Sequence, residues 1–259
     1  MAKLHALIFD VDGTLADTER DGHRVAFNRA FDEAGLDWDW SVELYGKLLS
    51  VTGGKERILY YLEHFNRAFE RPADLGAFVA ELHRSKTRHY MAMMAAGAIP
   101  LRPGVQRLLE EARAGGVRLA IATTTTPENV TALIENTLPA GAMDWFEVVG
   151  AGDIVPRKKP APDIYDWVLG ELRLAPQQVI AFEDSGHGVT SAADAGIPRI
   201  VVTVNGYTAG QDFAKASVVL DTLGDADRPA AAITGPMPPN RLVDLAFLES
   251  LMELEGSPV

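Results

Sequence analysis

Two carboxylates stand two residues apart in Phe9-Asp10-Val11-Asp12-Gly13-Thr14. One of them, Asp10 or Asp12, could attack phosphorus while the other handles a proton. Gly13 would let the backbone turn sharply beside them. The same residues also read as an ordinary polar turn. Three later groups widen the chemistry. Thr123-Thr124-Thr125-Thr126 offers hydroxyls and backbone N–H groups that can hold a phosphate oxygen, or a plain helix cap. Lys158-Lys159-Pro160 offers a cation for a nucleophile and a transferring phosphoryl group, or a solvated basic loop. Glu183-Asp184 offers hard oxygen ligands of the kind Mg²⁺ takes, or an acidic turn. Singly, each group leaves both readings open. In the order nucleophile, hydroxyl, lysine and acid pair, they favour the chemical one.

Such groups work only if backbone elements bring them to one place. Ala6 to Phe9 is a short apolar run that ends at Asp10. Val117 to Ala122, Val179 to Phe182 and Arg199 to Val204 read the same way. Continuous apolar runs suit strands buried on both faces of a parallel sheet. Helical patterns alternate with them at Val105 to Ala114, Asp163 to Leu172 and Val189 to Ala195. The expected class is therefore α/β, a Rossmann-like doubly wound parallel sheet. Such sheets bind ligands at the carboxyl ends of their strands.

The stretch after the first strand breaks the alternation. His23 to Ala34, Lys55 to Asn66 and Leu75 to Met94 are helical in pattern, with no apolar strand run between them. We expect a helical cap domain at residues 16–97, inserted into a core of residues 1–15 and 98–223. Residues 224–259 form an extension with Pro229, Pro236, Pro238 and Pro239, read as an extended connection. A helix from Arg241 to Leu254 follows it, packed on the core or trailing from it.

Composition bounds the partners. The chain has 259 residues, 47% of them hydrophobic, which is enough for a sizeable core. Its 24 basic and 36 acidic residues give a formal charge of -12. That sign argues against nucleic acid or an anionic membrane as partner, and makes any phosphate site a local basic pocket. Cysteine is absent, so no thiolate chemistry is available. No run approaches the roughly 20 apolar residues of a membrane span. A cytoplasmic monomer acting on a small molecule is expected.

A second set of residues could read that molecule. Thr52-Gly53-Gly54-Lys55-Glu56-Arg57 carries two cations and two glycines, and Arg57 could hold a second phosphate with two hydrogen bonds. It also reads as a helix start with a solvated charge run. Glu19 and His23, just after the first motif, could contact sugar hydroxyls or begin a surface helix. Tyr45 is a candidate of the same kind, or a packed helix residue.

The four core groups resemble the motifs of the haloacid dehalogenase superfamily, from about Leu4 to Leu223. That resemblance implies Asp10 as a nucleophile forming an aspartyl-phosphate and Asp12 as general acid and base. It implies Thr123 and Lys159, with Thr124 beside them, as phosphoryl-binding residues. Glu183, Asp184, Asp10 and the Asp12 backbone carbonyl would hold Mg²⁺. An acid at position 12 points to phosphoryl transfer rather than dehalogenation, because a leaving oxygen needs a proton and a halide does not. Lys55 leaves open the Schiff-base role of the superfamily's phosphonatases. Trp38-Asp39-Trp40, Thr52 to Ile58, Thr123 to Thr126, Lys158-Lys159-Pro160 with Pro162-Asp163-Ile164-Tyr165, and Gly206-Tyr207-Thr208 are similar to the superfamily's CbbY group. That likeness implies a sugar phosphate or bisphosphate substrate such as xylulose 1,5-bisphosphate. A hexose-phosphate mutase, and a non-catalytic binding module on the same fold, are the alternatives.

Overall fold

A computed structural model describes residues 3–51 and 53–253. The chain divides into two compact units, Met1–Asp17 with Pro100–Val259, and Thr18–Ile99.

The first unit is built on a seven-stranded sheet in the order β3-β2-β1-β4-β5-β6-β7. The strands are β1 (Ala6–Phe9), β2 (Arg118–Ala122), β3 (Phe146–Gly150), β4 (Val179–Glu183), β5 (Ile200–Thr203), β6 (Val218–Leu220) and β7 (Ala232–Thr234). Pairing is parallel through β6 and antiparallel between β6 and β7. The described residues thus form the expected α/β fold. β1 lies between β2 and β4, in register Phe9 with Ile121 and with Phe182. The chain first builds outward on one side of β1 and then crosses to the other. This reversal opens a crevice at the carboxyl edge, and Asp10 stands directly at it.

Three strands were not foreseen. β3 is buried only at its two ends, with Glu147, Val148 and Val149 exposed or half-buried between them, and β6 and β7 have three residues each. Segments so short carry no readable period, and only the neighbouring strand decides them. β7 also corrects the reading of the Pro-rich segment as a mere connection, since Ala232 and Thr234 pair with Leu220 and Val219. Proline is tolerated beside such an edge strand because no second ladder needs its missing N–H.

In the second unit the described residues contain helices and no strand. A π-helical stretch, Thr18–His23, runs into α1 (Arg24–Glu33), followed by α2 (Val42–Leu48), α3 (Gly54–His64) and α4 (Leu75–Ala95). Its core is aromatic. Trp40 and Tyr45 are fully buried, with Phe27 4.7 Å from Trp40 and Phe31 4.9 Å from it, centroid to centroid. A few large rings let a small unit bury enough apolar surface to hold together.

Back in the first unit, the helices are α5 (Val105–Ala114), α6 (Pro127–Thr137), α7 (Asp163–Leu172), α8 (Gly186–Asp194) and α9 (Leu245–Glu253). α8 begins three residues before the expected Val189, because Ser185 Oγ accepts the Gly188 N–H and caps it. α9 begins at Leu245, not at Arg241. Asn240 and Arg241 have φ of 57° and 58°, outside the helical region, and Asp244 caps the helix through the Phe247 N–H at 2.8 Å. It packs through Phe247, Leu248 and Leu251, all buried. Leu254, its expected last residue, lies outside the described residues.

Arg102 lies where the chain re-enters this unit, its N–H bonded to Leu15 O at 2.8 Å. Its buried guanidinium donates to the carbonyls of Gly13, Thr203 (2.8 Å), Val204 (2.6 Å) and Asp221 (2.9 Å). Nε lies 3.5 Å from the Asp17 carboxylate. One side chain therefore ties the turn after β1 to the ends of β5 and β6.

Candidate active site

At the carboxyl edge of the sheet, β1 delivers Asp10 and β4 delivers Glu183 and Asp184. All three are buried, and one carboxylate oxygen from each lies within 4.8 Å of the others. Lys159, from the loop between β3 and α7, reaches between two of them. Its Nζ is 2.7 Å from Asp10 Oδ1 and 2.6 Å from Glu183 Oε1. The two lysines of the sequence pair thus part company. Lys158 turns to the Gly152 carbonyl and the Asp153 carboxylate, and Lys159 is buried in the acid cluster.

Several glycines let this cluster close. A Cβ on Gly188 would overlap the Glu183 carboxylate. Gly13 has φ of 86°, and a Cβ there would overlap Asp184 Oδ2 and lie 2.9 Å from Asn205 Nδ2. The turn after β1 is closed by Gly13 N–H to Ala16 O at 2.8 Å. Asp12, half-buried, sits on this turn.

The electrostatics are those of acids held together against their preference. Burial pushes Glu183 up to about 7, with Lys159 opposing and Asp10 adding to the rise. Burial likewise raises Asp184 well above the carboxylate range, helped by the charges of Asp10 and Glu183. Burial disfavours the Lys159 ammonium, but Asp10 and Glu183 outweigh that and raise its pKa. A cation among the three acids would remove their mutual repulsion. Glu183 Oε2 is buried without a hydrogen-bond partner, which is the state of an oxygen that awaits a ligand. The donors are all hard oxygens, so Asp10, Glu183 and Asp184 fit Mg²⁺. The Asp12 side chain is outside this group; its expected contribution is its backbone carbonyl.

Thr123 follows β2. It is buried, and its Oγ1 accepts the Thr125 N–H at 3.3 Å, so its own proton remains to be donated. Thr124 is exposed at the same strand end. Thr126 caps α6 by accepting the Asn129 N–H. The capping reading was therefore right for one threonine of the run, while Thr123 sits deeper.

Three residues at this edge had no role assigned from the sequence, though Tyr165 stands in one of the stretches similar to the CbbY group. The Tyr165 hydroxyl donates to Glu183 Oε1 at 2.6 Å. Asn205, after β5, donates to Asp184 Oδ2 at 2.7 Å. Arg102 holds Gly13. A polar residue just past the predicted strand Arg199 to Val204 was a usable signal for Asn205. Nothing in a helix pattern marks Tyr165.

The helical unit has its own polar cluster. Tyr45 donates to Glu19 Oε2 at 2.6 Å, and Arg57 Nη1 donates to the Tyr45 oxygen at 2.7 Å. Arg57 is itself buried, with Nε lacking a partner. Burial opposes ionisation of Glu19, but Arg57 and the Tyr45 hydroxyl help to hold its pKa below the usual value. Gly53 is exposed with φ of 95°, and Lys55 is exposed. A Cβ on Gly54 would meet the His83 ring at 2.6 Å, so the start of α3 lies against α4. Thr52 lies outside the described residues.

Lys86, which the sequence reading passed over, approaches His23 Nδ1 at 2.8 Å. The ammonium can only donate, so the ring proton belongs on Nε2. Burial, then Lys86, lowers the His23 pKa to about 3. Folded His23 therefore refuses a proton that the unfolded chain accepts below 6.5. Stability is expected to fall as pH drops from 6.5 towards 3, by at most about 1.4 kcal/mol per pH unit. Denaturant midpoints of the wild type and His23→Gln between pH 7 and 4 test this. The wild type should lose the more; parallel curves would refute it.

The family profile of haloacid dehalogenase-like hydrolases matches residues 4–196. Protein CbbY of Rhodobacter capsulatus is 51% identical over 214 residues, 83% of this chain and 91% of that protein. The plasmid-borne CbbY of Cupriavidus necator is 45% identical, over 95% of this chain and 96% of its own. Among solved structures, an aspartate-to-asparagine mutant of Rhodobacter sphaeroides CbbY in complex with xylulose-(1,5)bisphosphate superposes with TM-score 0.71. It is 45% identical, covering 86% of this chain and 98% of that one. Among the described residues, no helix is long and apolar enough to cross a membrane.

Proposed function

This chain belongs to the haloacid dehalogenase-like hydrolases as a CbbY-like phosphatase, and on that premise we propose that it hydrolyses a sugar bisphosphate, xylulose 1,5-bisphosphate or a close relative, with Mg²⁺. The observation that carries the reading is Lys159 pinned between Asp10 and Glu183 within a trio of buried acids.

On this proposal an Asp10 oxygen attacks phosphorus, and the bond from phosphorus to the sugar oxygen breaks as the new one forms. Asp12 gives its proton to the leaving oxygen. Lys159 and the Thr123 hydroxyl hold phosphoryl oxygens, so that developing charge meets fixed donors rather than reorganising water. Asp12, now a carboxylate, takes a proton from water. That water attacks the aspartyl-phosphate, releasing inorganic phosphate and restoring the Asp10 carboxylate. Bound Mg²⁺, held by Asp10, Glu183, Asp184 and the Asp12 carbonyl, would neutralise charge on the phosphoryl group.

A bisphosphate needs a second anion site. The helical unit supplies candidates in Lys55, Arg57 and Lys86, with Glu19 and His23 suited to sugar hydroxyls. The complex of the Rhodobacter sphaeroides mutant supports this choice of substrate. A phosphate-release screen across sugar mono- and bisphosphates is the test. Strong preference for xylulose 1,5-bisphosphate over ribulose 1,5-bisphosphate is the expected result. Equal rates on many small phosphates would overturn it. Turnover of glucose 1-phosphate that depends on its bisphosphate would favour a mutase.

A further inference from the structure

Lys159 is one cation with two anionic claimants. It lies 2.7 Å from Asp10 Oδ1 and 2.6 Å from Glu183 Oε1. Glu183 is the more deeply buried of the two, and its carboxylate is fenced by Gly188 on one side. On electrostatic grounds alone, Lys159 would be drawn towards the anion with less access to water. A second donor prevents that. Tyr165, fully buried in the first turn of α7, gives its hydroxyl to the same Oε1 at 2.6 Å. Its ring also lies under the ammonium, 5.1 Å from Nζ to the centroid. Glu183 Oε1 is thus satisfied twice, and Oε2 not at all.

We propose that Tyr165 is a positioning residue that divides Lys159 between Glu183 and Asp10. By meeting part of the demand of Glu183, its hydroxyl leaves the ammonium available to the nucleophile and the phosphoryl group. It also fixes the Glu183 rotamer, with Oε1 on Lys159 and Oε2 against Gly188. The inference rests on the phosphatase reading for its kinetic consequence, but its structural consequence can be measured without turnover.

Tyr165→Phe removes one oxygen and keeps the ring. The expected kinetic result is a fall in kcat of roughly tenfold, the scale of one hydrogen bond to a charged group, with KM for the substrate little changed. In the metal-free protein, heteronuclear NMR of the lysine ammonium is expected to show a changed Lys159 signal. Calorimetry with Mg²⁺ alone is expected to show weaker binding. A double-mutant cycle with Glu183→Gln guards against a nonspecific loss of structure. If Tyr165 acts through Glu183, the two changes combine to less than the product of their separate effects. A lower unfolding midpoint, with the Lys159 signal, Mg²⁺ affinity and kcat all unchanged, would overturn the proposal. So would multiplicative effects in the cycle. If the wild type releases no phosphate from any substrate while the Lys159 signal still moves in the variant, the functional reading fails and the positioning role stands.

Discussion

Asp10→Asn is expected to leave the protein folded and to abolish phosphate release. The side chains are nearly isosteric, and Lys159 keeps Glu183 as a partner at 2.6 Å. Removing one negative charge also relieves the crowding of three buried acids. The fold therefore loses little. The chemistry loses its nucleophile, since a neutral amide oxygen is a poor one at phosphorus. Removing the nucleophile from a covalent mechanism costs on the order of 10⁴ to 10⁶ in kcat. The measurement is phosphate release over a Mg²⁺ series, alongside a denaturation curve. Mg²⁺-dependent turnover at more than about one part in a thousand of the wild-type rate, with the fold intact, would contradict Asp10 as nucleophile.

Arg102→Met is expected to cost on the order of 4 kcal/mol of stability, the range for removing one partner of a buried charged network. Methionine can fill much of the apolar volume of the stem. It cannot donate, and the carbonyls of Gly13, Thr203, Val204 and Asp221 together with Asp17 lose their shared donor. An unmet buried acceptor costs about 1–3 kcal/mol, so even partial rescue by water leaves a large deficit. The lysine variant should recover only part of it, because an ammonium has three donors and no planar fork. Urea midpoints of the three proteins test the order wild type, lysine, methionine. A loss below about 1 kcal/mol for the methionine variant would show that these carbonyls find other donors.

How much could be read without coordinates depended on how local each signal was. Strands β1, β2, β4 and β5 were legible because burial on both faces writes continuous apolar runs into the chain. β3, β6 and β7 were not. Glu147 breaks the run of β3, and the other two are too short for any period to show. The start of the last helix went the same way, since Arg241, read as its first residue, adopts a positive φ of 58°.

The candidate site divides along the same line. Asp10, Asp12, Glu183, Asp184, the threonine run and the lysine pair stood out by residue type just past apolar runs, and within the last two groups it was the family resemblance that picked Thr123 and Lys159. The supporting side chains were silent. Tyr165 and Arg102 sit in an ordinary helix and an ordinary linker, and what gives them a task is a partner far along the chain. The sequence by itself determined which groups could react and which strands would carry them, because both are properties of residue type and short-range pattern. Only the tertiary structure showed why Lys159 enters the acid cluster while Lys158 turns away, and which residues hold that cluster in place. Those choices depend on distances between residues remote in the chain, and no local pattern encodes such distances.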